Sequence, residues 1–125
     1  GKRMDFYIKV KFFSEIESLV YGISLKTVDG VYVYGENTQF NNVSIDSVQA
    51  SSVTVCKFSL EMNVGPGHYF VDIGVAEHMQ NIDHPVDNRL GFVHVEVFSG
   101  KRRFDGLVDL KMSVEEVSRV KVSKG

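Results

Sequence analysis

Of four histidines, His68, His78, His84 and His94, three stand near carboxylates: Glu77 adjoins His78, Asp83 adjoins His84, and Glu96 lies two places from His94. Zinc and iron sites take imidazole and carboxylate ligands, but those ligands must converge on one point, and proximity in sequence does not supply convergence. No His-x-His or His-Glu-x-x-His spacing occurs. The histidines therefore read as solvated, and no metal is expected. Glu77, Asp83 and Asp87 would be the raw material of a glycosidase, which needs an acid and a base or nucleophile flanking the sugar bond. Catalytic carboxylates are held on rigid elements, whereas both aspartates sit beside loop breakers. Gly65-Pro66-Gly67 lacks the lysine and following helix of a phosphate loop, and no Gly-x-Ser-x-Gly or dinucleotide fingerprint is present. The chain reads as a non-enzyme, with no catalytic residue and no cofactor.

Binding chemistry is better represented. Tyrosine rings stack on the C–H faces of sugars while planar polar groups take the hydroxyls. Of the five tyrosines, Tyr69 is in phase with Val71 and Ile73 and reads as core. Tyr32 and Tyr34, alternating with Val31 and Val33, read as an exposed pair. Lys101-Arg102-Arg103 would suit an anionic group but also an ordinary charged hairpin tip. Cys56, in Val53-Thr54-Val55-Cys56-Lys57-Phe58, has no partner for an internal disulfide and reads as a buried structural thiol. A net charge of -2 gives no general attraction for nucleic acid or anionic lipid.

These residues need rigid elements, and the periodicity of the chain supplies strands. Phe6, Ile8, Val10 and Phe12 alternate with Tyr7, Lys9 and Lys11, the period of two of a half-wet strand. Ile23 and Leu25 alternate with Ser24 and Lys26, and Asp29-Gly30 then precedes Val31 to Tyr34, a strong hairpin signal. Strands follow at Val53 to Met62, at Tyr69 to Val75 after the Gly65-Pro66-Gly67 turn, at Phe92 to Phe98, and at Gly106 to Met112. Gly35 to Asp46 reads as a polar loop with a short strand near Val43 and Ile45. Glu77 to Asn88, without periodicity and rich in Asn, Asp and Pro, reads as a long loop.

At 125 residues, 43% hydrophobic and 24% charged, the chain suits one soluble domain spanning 1–125. About eight short antiparallel strands and no amphipathic helix predict an all-β fold, an immunoglobulin-like or jelly-roll sandwich. No apolar run of about 18 residues and no signal segment occurs, so a cytoplasmic domain is expected. The start at Gly1-Lys2-Arg3 suggests an excised fragment or a trimmed tag.

Two segments carry a family resemblance. Tyr21-Gly22-Ile23-Ser24-Leu25 leading to Asp29-Gly30-Val31-Tyr32-Val33-Tyr34-Gly35-Glu36-Asn37-Thr38, and Gly65-Pro66-Gly67-His68-Tyr69-Phe70-Val71-Asp72, resemble the C-terminal domain of Wzt-type ATP-binding subunits of O-antigen polysaccharide exporters. Asp87 before the Phe92 strand and Phe104-Asp105-Gly106-Leu107-Val108 are similar to its other landmarks. The resemblance covers roughly residues 5 to 112. It implies a sandwich, often dimeric, that recognises the non-reducing terminus of a finished O-polysaccharide without altering it and licenses export by an ABC transporter. The partners implied are the polysaccharide, a second copy and the transporter's membrane subunit, at the inner face of the inner membrane. A structural or adaptor sandwich mediating protein assembly is the rival reading.

The resemblance does not supply the site, which follows from faces. With Phe6, Ile8, Ile23, Leu25, Val71 and Ile73 inward, the wet face shows Lys9, Lys11, Ser24, Lys26, Asp72 and His94, beside Glu96. Tyr32 and Tyr34 complete the expected carbohydrate site. Lys9, Lys11 and Lys26 on one face would make a cationic array for a negative group on the glycan end. The segment 113–125, with Val114, Val117, Val120 and Val122 beyond the regular sandwich, is expected to pack on or add a strand to a second copy.

Overall fold

The computed structural model describes residues 2–40, 45, 47–98 and 104–120. Among them six strands occur: β1 (Arg3–Lys11), β2 (Leu19–Thr27), β3 (Tyr32–Asn37), β4 (Val53–Glu61), β5 (Gly67–Met79) and β6 (Ile82–Val97). They form two antiparallel sheets, one of order β1-β4 and one of order β3-β2-β5-β6. Among the described residues no helix is long and apolar enough to cross a membrane.

Alternation puts the apolar half of each strand between the sheets. Phe6 pairs with Phe58, and Ile8 with Cys56; opposite them, Tyr21 pairs with Val75, Ile23 with Ile73 and Leu25 with Val71. One core cluster gathers Phe12, Ile16, Leu19, Tyr21, Val48 and Val75; the other gathers Ile23, Leu25, Met62, Tyr69, Val71 and Val95. Phe58 touches both and joins them. The Tyr21 hydroxyl is bonded to Thr54 Oγ1 across the sheets, and Tyr69 donates its hydroxyl to the Gly65 carbonyl at 2.7 Å, so neither buried phenol is left unpaired.

The fold is the expected all-β sandwich, with fewer strands than expected. Thr27 and Val31 close the Asp29-Gly30 hairpin, where Gly30 has φ 82. Glu77 to Asn88 is not a loop. β5 and β6 run on through it and turn at Gln80 and Asn81, whose φ values of 53 and 62 suit a two-residue hairpin turn. Pro85 is tolerated because β6 is an edge strand, where a missing N–H breaks no ladder. The strand expected from Gly106 to Met112 shrinks to one bridge, Val108 to Val64. Lys111, at φ 57, then interrupts the extended run. Ile45 lies outside any strand, and Val43 lies outside the described residues.

Candidate functional site

The outer face of the four-stranded sheet is where small residues and hydrogen-bonding side chains meet. Register aligns them in rows across the strands: Tyr32, Lys26, Phe70 and His94; then Gly35, Ser24 and Asp72; then Asn37, Gly22, Gly74 and Asn88. The second and third rows have Gly35, Ser24, Gly22 and Gly74 as their floor, so a shallow trough crosses β3, β2 and β5. The ring row borders it on one side, and the amides of Asn37 and Asn88 stand at the two ends of the third row. A Cβ on Gly22 would lie 3.8 Å from that of Asn37, whereas a Cβ on Gly74 would come within 2.8 Å of Asn88 Oδ1.

Asp72 anchors this face. It is 5% exposed. Its Oδ1 accepts Lys26 Nζ at 2.9 Å and the Gly91 N–H at 2.6 Å. The second bond has a local cause: between the Val71–Val93 and Ile73–Arg89 pairs the register slips, leaving Leu90, Gly91 and Phe92 opposite one residue. Gly91 takes φ 60 there, and the Asp72 carboxylate accepts the N–H that the bulge withdraws from the ladder. The other oxygen, Oδ2, is buried without a partner.

At the ring end, Phe70 stacks on His94 with centroids 5.1 Å apart, and His94 on His68 at 5.0 Å. His68 Nδ1 and His94 Nε2 share a hydrogen bond at 2.8 Å, while His68 Nε2 lies 3.6 Å from Glu96. The carboxylates singled out from sequence are occupied differently. Asp83 meets His78 at 2.6 Å across the hairpin, Asp87 meets Arg89 at 3.2 Å, and Glu77 accepts the Glu17 N–H at 3.0 Å. Among the described residues no three such groups converge on a metal position.

The sequence-derived site residues fall in three places. Ser24, Lys26, Tyr32, Asp72 and His94 come together on the trough face, with Glu96 beside them. Lys9 and Lys11 project from β1, whose sheet packs on the other side of the core, so the three lysines form no common array. Lys11 instead lies 5.7 Å over the Phe13 ring. Tyr34 turns away because the register shifts between Leu25 and Lys26. It pairs with inward Leu25, and its hydroxyl donates to Glu36, a bond that pushes the phenol above its ordinary value.

Tyr34 and Glu36 border a second concavity of about 470 Å3 between the β3 and β4 edges, floored by Ile23, Leu25, Val33 and Phe58. Val108 and Asp109 lie at its margin, where the C-terminal segment departs. Lys101-Arg102-Arg103 lies outside the described residues. Gly22, Gly35, Gly74, Asn37, Phe70 and Asn88 were not named as site residues from sequence, although Gly22, Gly35, Asn37 and Phe70 fall in the segments that carry the family resemblance. The available signal was glycine inside a strand pattern, which marks close approach of another group to the backbone.

The model of the family described as Wzt C-terminal domain matches residues 1–110. A solved structure described as "Crystal structure of the C-terminal domain of wzt" is similar at a TM-score of 0.83 and 31% identity, covering 92% of this chain and 70% of that one. No curated protein matches the chain.

Proposed function

This chain belongs to the Wzt C-terminal domain family, and on that premise we propose that it is a non-catalytic carbohydrate-binding domain of an O-antigen exporter, receiving the polysaccharide's non-reducing terminus in the trough. The observation that carries this reading is the glycine and serine floor on β3, β2 and β5, beside a row of rings and between two amides. A sugar ring presents C–H faces to aromatic rings and hydroxyls to amides, and a floor of small residues lets it approach the backbone. Ser24, Lys26, Tyr32, Asp72 and His94 belong to this proposed site, together with Asn37, Phe70 and Asn88. The test is a titration with whole polysaccharide and with polysaccharide stripped of its terminal residue. Tight binding of the first alone supports terminal recognition. Equal affinity for both would sink it, and cleavage of the glycan would replace binding by catalysis.

The domain works in this reading as a homodimer, on the cytoplasmic side of the inner membrane, attached through its full-length chain to the transporter. Support comes from Leu110, Met112, Val114, Val117 and Val120, all more than 80% exposed, which leave the sandwich beside the apolar cleft between β3 and β4. Burying five such side chains contributes on the order of 10 kcal/mol per chain, enough to offset much of the cost of association. The rival reading, an adaptor sandwich that only assembles proteins, shares this tail but predicts no glycan retention.

A further inference from the structure

We infer that the trough takes electrically neutral sugars and turns away uronic and phosphorylated ones, an inference that rests on the glycan-binding reading of that face. Among the described residues, the formal charges on the rows and their margin are the carboxylates of Asp72 and Glu96 and the ammonium of Lys26, a balance of one negative charge with the histidines neutral. An anionic sugar gives up its water only where charge-assisted hydrogen bonds replace it. Lys26 is the one lysine or arginine in the three rows, and its ammonium already lies 2.9 Å from Asp72. His68 and His94 are bonded to each other, and the second nitrogen of His68 is turned toward Glu96. Arg89 is paired with Asp87, and Lys9 and Lys11 are on the far sheet.

What the face offers suits hydroxyls. Asp72 Oδ2 is a buried acceptor without a donor. Burial puts the atom out of a ligand's reach but not its charge: a carboxylate or phosphate on the face brings a second negative charge beside it, whereas a hydroxyl brings none. The Asn88 amide both donates and accepts, and Asn37, whose Oδ1 already accepts the Phe40 N–H at 2.8 Å, offers its amide N–H groups. Binding built on such contacts is insensitive to ionic strength, because no net charge attraction is there to be screened.

The probe is an array of defined bacterial oligosaccharides in neutral, uronic-acid-containing and phosphate-ended forms, titrated with the 125-residue chain at low and high salt. Retention confined to neutral members, changing less than about twofold with salt, is the expected result, well inside the 1.4 kcal/mol of a tenfold change. Tighter binding of an acidic member than of its neutral counterpart, weakening with salt, overturns the inference and leaves the glycan-binding reading standing. Retention of no member overturns both. Gly22→Leu and, as a gentler second variant, Asn88→Ala should each abolish or weaken neutral binding with the circular dichroism of the parent. A well-folded variant pair that binds like the parent places the sugar elsewhere and overturns the inference as well.

Discussion

Lys26→Met removes a charge from the sheet while keeping the apolar stem that carries it. Lys26 and Asp72 face each other at 2.9 Å with side chains 21% and 7% exposed. At that distance and an effective dielectric constant of about 20 the attraction is about 6 kcal/mol, most of which desolvation of the two groups cancels in the parent. The variant does not recover that desolvation, because it strands the Asp72 carboxylate with the Gly91 N–H as its donor. Breaking a buried pair costs about 3–5 kcal/mol, and the partial exposure of Lys26 places the expected loss near the lower end. Against a domain stability of about 5–15 kcal/mol that is a large share, and it lowers Tm by about 10 °C. Asp72→Asn is expected to be milder, about 1–2 kcal/mol, because the lysine can turn its head group to water and the amide oxygen can still accept from Gly91. The double variant should lose less than the two singles together, by about 1 kcal/mol or more. The chain has no tryptophan, so urea unfolding is best followed by far-ultraviolet circular dichroism. A Lys26→Met loss under about 0.5 kcal/mol, or singles that add without coupling, would refute the argument that this pair is a buried, mutually dependent unit.

Four further outcomes are expected. Gly22→Ala should keep or slightly raise stability, because glycine in a strand interior costs about 0.5–1 kcal/mol relative to alanine and the added methyl meets ordinary contacts; it should weaken glycan binding about tenfold, and unchanged affinity would argue against the trough. Deleting residues 113–125 should turn a dimer into a monomer by light scattering, and a parent that is already monomeric would contradict the exchange. Tyr69→Phe should cost about 1–2 kcal/mol, because the Gly65 carbonyl loses its donor in a buried position; a denaturation midpoint equal to the parent's would refute it. Burial pushes the Cys56 thiol above its ordinary 9.0 and the Tyr21 and Tyr69 phenols above 10.0. The unfolded chain therefore loses these protons first as pH rises, so the stability they contribute is fully present below about pH 9 and declines above it. Denaturation midpoints that stay level or rise from pH 8 to 11 would contradict that sign.

The strands with strong local alternation, β1, β2 and β5, were legible in the sequence, as was the Asp29-Gly30 turn, because period and turn chemistry are local properties. Ser24, Lys26 and His94 were legible as residues of the outer face for the same reason, whereas Asp72, expected to be wet, is buried because the β6 bulge folds the Gly91 N–H onto its carboxylate. Alternation tells which residues share one side of a strand, but not which strands share a sheet. Lys9 and Lys11 were thus grouped with Lys26, from which the core separates them. Tyr34 was misplaced relative to Tyr32 by a one-residue register shift that leaves no mark in composition. Glu77 to Asn88 looked like a loop because Asn, Asp and Pro are turn formers; an edge strand accepts them where a central one would not. The trough floor was hidden because Gly22, Gly35 and Gly74 become neighbours only through pairing across three strands.

A sheet whose two faces are separated by one layer of backbone divides its sequence into two independently variable alphabets. The residues that point inward are constrained by volume, while Tyr32, Ser24, Asn37, Phe70, His94 and Asn88 point away from the core and touch little of it. Under the glycan-binding role proposed for this face, a lineage confronted with a new surface sugar can rewrite the outer alphabet in single steps, each within the stability margin of the fold. Asp72 is the letter that belongs to both, since the carboxylate that faces the trough also holds the β6 bulge in place. Drift in sugar preference should accordingly run through the positions around Asp72 before it reaches Asp72 itself.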